Sequence, residues 1–236
     1  MTAELICAIG DIHGEAGRLD VLHAAIFEHH RLLHPDVHLT LVHLGDYVDR
    51  GPDSYAVIET LMRLEERGDL TSICLKGNHE QMMLDALERG EQGGMWMRSG
   101  GEETMDSYYR RDLSEVPKAH RNWLKALPVH HILEDRKLLF VHAGIAPGRW
   151  PELDDEIGLW TRSRRFFDVT LWDNPALDGW TVVHGHTPTP DFRADVQGDP
   201  PRRINIDTGA VYGGQLTAVL LAPGAPAGAE PVFLHA

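Results

Sequence analysis

Short apolar runs, several of them closed by a glycine, alternate along the first ninety residues with segments whose apolar positions recur every three or four residues. Leu5–Ile9 is such a run, ending at Gly10, and predicts a buried strand. Leu19, Leu22, Ile26 and Leu33 then line one helix face, which Pro35 closes. A second strand is expected from about Val37 to Leu44, stopping at Gly45. Pro52, Asp53 and Ser54 mark a helix start, with Tyr55, Ile58, Leu61 and Leu64 on one face and Gly68 beyond the end. A third strand, about Leu70 to Lys76, leads to Gly77 and a helix through Met82, Met83 and Leu87. Strand and helix alternate, so an α/β fold with parallel pairing near the N-terminus follows.

The pattern changes between about residues 90 and 128. Gly93, Gly94, Gly100 and Gly101 indicate a loop, and Glu102–Arg111 and Pro117–Leu127 read as short helices, so this stretch is expected to be a helical insertion beside the core. Strands resume at His130–Leu133 and Leu138–Val141, joined by a turn at Asp135–Arg136. Runs at Thr181–Val183, Arg203–Ile206, Leu216–Leu221 and Val232–Leu234 suggest a second, largely antiparallel sheet. The Pro/Gly/Ala-rich stretch Ala222–Ala229 is expected to be a mobile surface loop.

A chain of 236 residues favours one domain spanning 1–236, and 25% charged residues is ordinary for a globular protein. The net charge of -14 disfavours binding to nucleic acid or anionic lipid. No apolar run reaches the roughly 20 residues of a membrane helix, and Met1–Ile9 does not read as a signal peptide. The two cysteines, Cys7 and Cys74, sit in apolar runs and read as buried free thiols of a cytoplasmic protein. The unusual feature of the composition is its 15 histidines.

Five polar clusters each follow an apolar run: Gly10-Asp11-Ile12-His13-Gly14, Gly45-Asp46-Tyr47-Val48-Asp49-Arg50-Gly51, Gly77-Asn78-His79-Glu80, His142-Ala143-Gly144 and Gly185-His186-Thr187-Pro188. In α/β sheets ligands collect beyond the carboxyl ends of strands, so the five can converge on one crevice. Alone, an Asp-x-His or an Asn-His is an ordinary turn. Gly-Asp-x-x-Asp-Arg-Gly is sharper, expected by chance in on the order of one chain in several thousand. Carboxylate, amide and imidazole donors without a thiolate suit Mn, Fe, Zn or Co. His29, His30 and His34 read as helix-end residues, and His184 as a strand residue or a neighbour of the site.

In combination these motifs resemble those of the bacterial and phage-type phosphoprotein phosphatases, within the calcineurin-like metallophosphoesterases. The resemblance runs from residue 10 to 188. It implies two mixed β-sheets packed as a sandwich flanked by helices, and two divalent ions, Mn foremost. Asp11 and His13 resemble ligands of the first ion, Asp46 the bridging ligand, and Asn78, His142 and His186 ligands of the second. His79 matches the family's general acid, Asp49 its orienting carboxylate and Arg50 a phosphate clamp; Arg162, with Arg164 and Arg165 close by, resembles a second clamp. The Ser-Ala-Pro-Asn-Tyr segment of the eukaryotic protein phosphatases has no counterpart, and Asn205–Gly209 stands there instead, with Tyr212 beyond it.

The resemblance implies a phosphomonoesterase acting on phosphoserine and phosphothreonine in proteins or on small phosphoesters. A hydrolase of dinucleoside polyphosphates, of the symmetrical diadenosine tetraphosphatase kind, is the alternative. A binding scaffold without turnover is a third reading, disfavoured because no ligand or acid is missing.

Overall fold

The apolar run at the N-terminus is buried on both faces, and that decides its place. In the computed structural model, which describes residues 4–89, 93–222 and 230–236, Leu5, Cys7 and Ile9 face a layer of helices, while Ile6 and Ala8 face a second sheet. A strand covered on both sides needs no polar alternation, so it reads as a continuous apolar run.

Chain order begins with β1 (Glu4–Ile9), α1 (Ala16–Leu33), β2 (His38–His43), α2 (Ser54–Glu65), β3 (Thr71–Cys74) and α3 (Asn78–Arg89). The insertion follows as α4 (Gly93–Trp96), a wide turn at Met97–Gly101, α5 (Glu102–Tyr109) and α6 (Lys118–Ala126). Then come β4 (His130–Leu133), β5 (Leu138–Val141), α7 (Asp155–Trp160) and α8 (Arg164–Phe167). The chain ends with β6 (Thr181–His184), β7 (Asp195–Gln197), β8 (Arg203–Asn205), β9 (Thr217–Leu221) and β10 (Val232–His235).

Among the described residues these strands make two five-stranded sheets, ordered β10-β9-β1-β2-β3 and β4-β5-β6-β8-β7. β1 pairs parallel with β2, and β2 with β3, as the strand–helix alternation predicts. The sheets pack through Ile6, Val42, Leu75, Phe140, Val183, Ile204 and Val219. Phe140 is fully buried there, and truncating it to Ala would cost about 3–5 kcal/mol. The outer face of the second sheet packs Leu139, Val141 and Val182 against Trp150, Phe166 and Trp172.

Four expectations need correction. The loop expected around Gly93 and Gly94 is instead the short helix α4, which leads into the wide turn at Met97–Gly101. β9 and β10 belong to the first sheet, with β9 antiparallel to β1. The second sheet is mixed and not largely antiparallel, since β5-β6 and β6-β8 are parallel. An apolar run specifies a strand but not its partner. Here β9 is apolar on both faces, Ala218 and Leu220 toward the helices and Val219 and Leu221 toward the other sheet, which fits a place beside β1. Leu33 is 63% exposed, so the buried face of α1 ends at Ile26. The expected loop Ala222–Ala229 lies outside the described residues from position 223 onward.

The start of α2 is as predicted: the Asp53 side chain caps it, accepting the N–H of Ala56 at 3.0 Å. The consequence of the topology for chemistry is simple. β1, β2, β3, β5 and β6 all end at the same rim of the sandwich.

Candidate metal centre

Each of those five strands releases one polar cluster at its carboxyl end, and the two sheets bring the clusters face to face. His13, Asp46 and His79 present ligand atoms within 4.8 Å of one another, and so do Asp46, His142 and His186. Asp46 is common to both groups. Its Oδ2 lies 3.5 Å from His13 Nε2 and its Oδ1 lies 3.3 Å from His142 Nε2. Asn78 Oδ1 stands 3.0 Å from His142 Nε2 and 2.8 Å from His186 Nδ1.

Backbone carbonyls decide which imidazole nitrogens are free. His13 Nδ1 donates to Val48 O at 2.8 Å, and His142 Nδ1 donates to Leu44 O at 3.0 Å. A carbonyl can only accept, so each ring turns its other nitrogen, Nε2, toward Asp46. Burial holds His13 down at a pKa of about 3 and lowers that of His142, so both rings are neutral and their Nε2 atoms are bare acceptors. Bare nitrogens then face carboxylate and amide oxygens at 3.0–3.5 Å. Neighbouring ligand atoms around an ion with bonds of about 2.1 Å stand roughly 3.0–3.4 Å apart. A cluster of acceptors at that spacing fits divalent cations.

Charge supports the same fit. Asp11, Asp46 and Asp207 are all buried. Burial raises Asp11 well above the ordinary carboxylate range, and Asp207 and Asp46 raise it further. Asp207 is pushed up to about 7, first by burial and also by Asp46. Burial also works against Asp46, but four surrounding imidazoles outweigh it and hold its carboxyl low. Cations among these carboxylates would relieve the repulsion. Asp11 belongs to neither three-residue group; its carboxylate accepts the His186 backbone N–H at 3.0 and 3.1 Å and so ties the β1 loop to the β6 loop. Asp207 is a residue that sequence reasoning left without a role, although Asp-Thr-Gly after an apolar run was visible.

The loop that carries Asp46 is gripped from beneath by Glu80. One carboxylate oxygen accepts the backbone N–H groups of Asp46 and Gly77, both at 2.8 Å; the other accepts those of Tyr47 at 2.7 Å and Val48 at 3.2 Å. The grip has work to do, because His13, Asp46, Asp49, Arg50 and His186 all have positive φ. Such residues cost of order 1–3 kcal/mol each and persist only where the surroundings hold them. Glycine is required at closest approach: a Cβ on Gly77 would sit 2.2 Å from Asp46 Oδ1, and one on Gly185 2.0 Å from Asp11 Oδ1.

His79 lies in the first group but is bound differently from its neighbours. Its Nδ1 is 2.6 Å from Asp49 Oδ2, and its ring meets that of His13 edge-on at 4.7 Å. Burial alone would lower its pKa, but Asp46 and Asp49 together overcome burial and raise it. Asp49 is itself held by the insertion. Trp96 Nε1 donates to both of its oxygens, at 2.9 and 3.1 Å, and the Thr104 hydroxyl donates to Oδ1 at 2.8 Å. Gly100 O accepts the Arg50 backbone N–H at 3.1 Å. The insertion therefore supports the site directly.

The arginines separate cleanly. Arg50 Nη1 donates to His13 Nε2 at 2.7 Å, and Arg162 Nε donates to His186 Nε2 at 3.3 Å. Arg165 instead pairs with Asp173 at 2.8 Å on the surface. His184 is buried at the end of β6, two residues before His186, and accepts from Arg203 Nη1 at 2.9 Å, so it anchors β6 to β8. Cys7 and Cys74 are free and buried.

Among the described residues no helix is long and apolar enough to cross a membrane. Comparison with known proteins agrees with the geometry. A family model for calcineurin-like phosphoesterases matches residues 5–215. The chain is 31% identical over 236 residues, 89% of this chain and 88% of the relative, to the asymmetrical bis(5'-nucleosyl)-tetraphosphatase PrpE of Anoxybacillus flavithermus. It is 39% identical over 130 residues, 55% of this chain and 51% of the relative, to serine/threonine-protein phosphatase 2 of Escherichia coli. A crystal structure of a protein provisionally assigned as a diadenosine tetraphosphatase superposes with a TM-score of 0.66 at 22% identity, covering 100% of this chain and 98% of the other.

Proposed function

This chain belongs to the calcineurin-like phosphoesterase family and is a hydrolytic enzyme, and from that premise we propose that it hydrolyses dinucleoside polyphosphates at two divalent ions sharing Asp46. The observation that carries the two-ion reading is the position of Asp46, one oxygen toward each histidine group. The substrate class rests on similarity along most of the chain to an enzyme named for that activity. The relative's name specifies asymmetrical cleavage, so diadenosine tetraphosphate should yield ATP and AMP and not two ADP.

We assign Asp11, His13 and Asp46 to one ion and Asp46, Asn78, His142 and His186 to the other. Imidazole, amide and carboxylate donors suit Mn first, with Fe, Zn or Co as alternatives. When bound, the pair supplies positive charge that polarises a phosphoryl group and makes water nucleophilic near neutral pH. The protein does the rest. Arg50 and Arg162 bind phosphoryl oxygens from the two sides and stabilise the charge that builds on them. His79 presents the Nε2 proton to the leaving oxygen, with Asp49 fixing its tautomer. Glu80 keeps the Asp46 loop in its strained form, so no reorganisation is needed when substrate arrives. The chain's net charge of -14 does not oppose an anionic substrate, because ions and arginines dominate locally.

A serine/threonine phosphatase is the second reading, favoured by the 39% identity to the Escherichia coli enzyme over 130 residues. Mn-loaded protein should hydrolyse diadenosine tetraphosphate with a kcat/KM at least ten-fold above that for a phosphoseryl peptide, with ATP and AMP resolved by chromatography. The reverse order would favour the second reading. In either case Asp46→Asn should abolish turnover and lower metal content, and an active, fully loaded variant would refute the shared ligand.

A further inference from the structure

Beyond the arginine at the first histidine group lies an open cleft of about 760 Å³, lined by Arg50, Met97, Arg98, Glu102, Glu103 and Tyr212. Its volume falls within the roughly 300–1,000 Å³ of small-molecule sites. The inner end is fixed by Arg50, whose guanidinium both donates to His13 Nε2 and lies 5.6 Å from the centre of the Tyr212 ring. Tyr212 is 51% exposed, so a ring that size is open to stacking by an incoming flat group.

The chemistry of the walls selects the occupant. Arg50, at the inner end, suits a phosphate; beyond it Arg98 offsets one of the two charges of Glu102 and Glu103, which leaves that part of the wall net acidic. Those two carboxylates accept hydrogen bonds from hydroxyl and amino groups, which a ribose and an adenine ring provide. Aromatic face, acceptors and a cation at the inner end describe a nucleoside with its phosphate chain leading to the ions. We infer that this cleft is the subsite for one nucleoside of the substrate, with the base stacked on Tyr212. The assignment rests on the dinucleoside polyphosphate reading and adds which residues recognise the nucleoside. A second exposed aromatic, Trp160, lies 6.4 Å from the His186 ring at the other histidine group and serves as the internal comparison.

The test compares kcat/KM for diadenosine tetraphosphate and for p-nitrophenyl phosphate, which carries no nucleoside. Stacking on an aromatic side chain contributes about ten-fold or more in affinity. Tyr212→Ala should lower the ratio of the two constants at least ten-fold, through KM for the dinucleotide, and Tyr212→Phe should restore it. As a binding readout, AMP should inhibit p-nitrophenyl phosphate hydrolysis at least ten-fold more tightly than inorganic phosphate in the wild type. In Tyr212→Ala that advantage should vanish. If the wild type hydrolyses the dinucleotide well but Tyr212→Ala keeps its ratio, or if Trp160→Ala alone loses it, the subsite is refuted and the functional reading stands. A wild type that does not hydrolyse the dinucleotide removes both.

Discussion

His79 Nδ1 and Asp49 Oδ2 are 2.6 Å apart, and both side chains are buried. The bond leaves His79 Nε2 as the only ring nitrogen that can give a proton to substrate, and the carboxylates of Asp46 and Asp49 keep that proton on to higher pH. Its importance depends on the leaving group. A serine alkoxide needs the proton, so His79→Asn should cost about 10²–10⁴ on a phosphoseryl peptide. Nucleotide and nitrophenolate anions leave with less help, so the loss on diadenosine tetraphosphate and p-nitrophenyl phosphate should be smaller. Asp49→Asn should show the same order more mildly. Steady-state rates on the three substrates, with metal content measured alongside, check this; equal losses with metals retained would remove the acid role.

Glu80 should matter for metal affinity although it touches no ligand atom in either histidine group. In Glu80→Gln the amide nitrogen must face two of the four backbone N–H groups that the carboxylate now satisfies. Leaving buried donors unpaired costs about 1–3 kcal/mol, and the Asp46 loop should loosen. Urea denaturation should show that loss, and titration with Mn should show at least ten-fold weaker binding. Unchanged metal affinity would make Glu80 a stability residue only.

Arg162 and Arg165 offer a matched pair. Arg162→Ala should raise KM or lower kcat at least ten-fold while metal content holds, because Arg162 meets His186 at Nε2, whereas Nδ1 is the ring nitrogen turned toward Asn78 and His142. Arg165→Ala should change little, since that arginine is paired with Asp173. The opposite result would show that the clamp was assigned to the wrong arginine.

Away from the site, His23 and His43 share a buried hydrogen bond of 3.0 Å between their Nε2 atoms. Burial lowers His23 to a pKa of about 4 and lowers His43 as well. An unfolded histidine titrates near 6.5, so between those values the unfolded chain binds more protons and stability falls as pH falls. For His23 the loss is about 2 kcal/mol by pH 5. His23→Gln keeps a donor for His43 but does not titrate. Urea midpoints at pH 7.5 and 5 should therefore drop less in this variant than in the wild type, and identical drops would refute the linkage.

The five clusters were legible because each sits where an apolar run ends, and parallel strands in one sheet must end at one rim. The fold class followed from the same alternation. The membership of β9 did not, because Val219 and Leu220 look alike whichever sheet receives them. Glu80 was visible beside His79, yet nothing local announces that its partners are the backbone N–H groups of residues 46 to 48. Trp96 and Thr104 meet Asp49 only after the insertion folds across it, and a single sequence carries no signal for a contact of that separation. Leu33 fitted the helix period, but its turn of α1 stands in solvent.

The reach of the insertion has a consequence for how this enzyme can diverge. Within nine residues it holds Asp49 through Trp96 and Thr104, binds the Arg50 backbone through Gly100, and supplies Met97, Arg98, Glu102 and Glu103 to the cleft. On the proposed roles, a change of substrate range at this segment also touches proton delivery. Reshaping the insertion to accept a different nucleoside should therefore also shift the pH–rate profile, even with the loops that carry Asp46, Asn78 and the two histidine groups left unaltered.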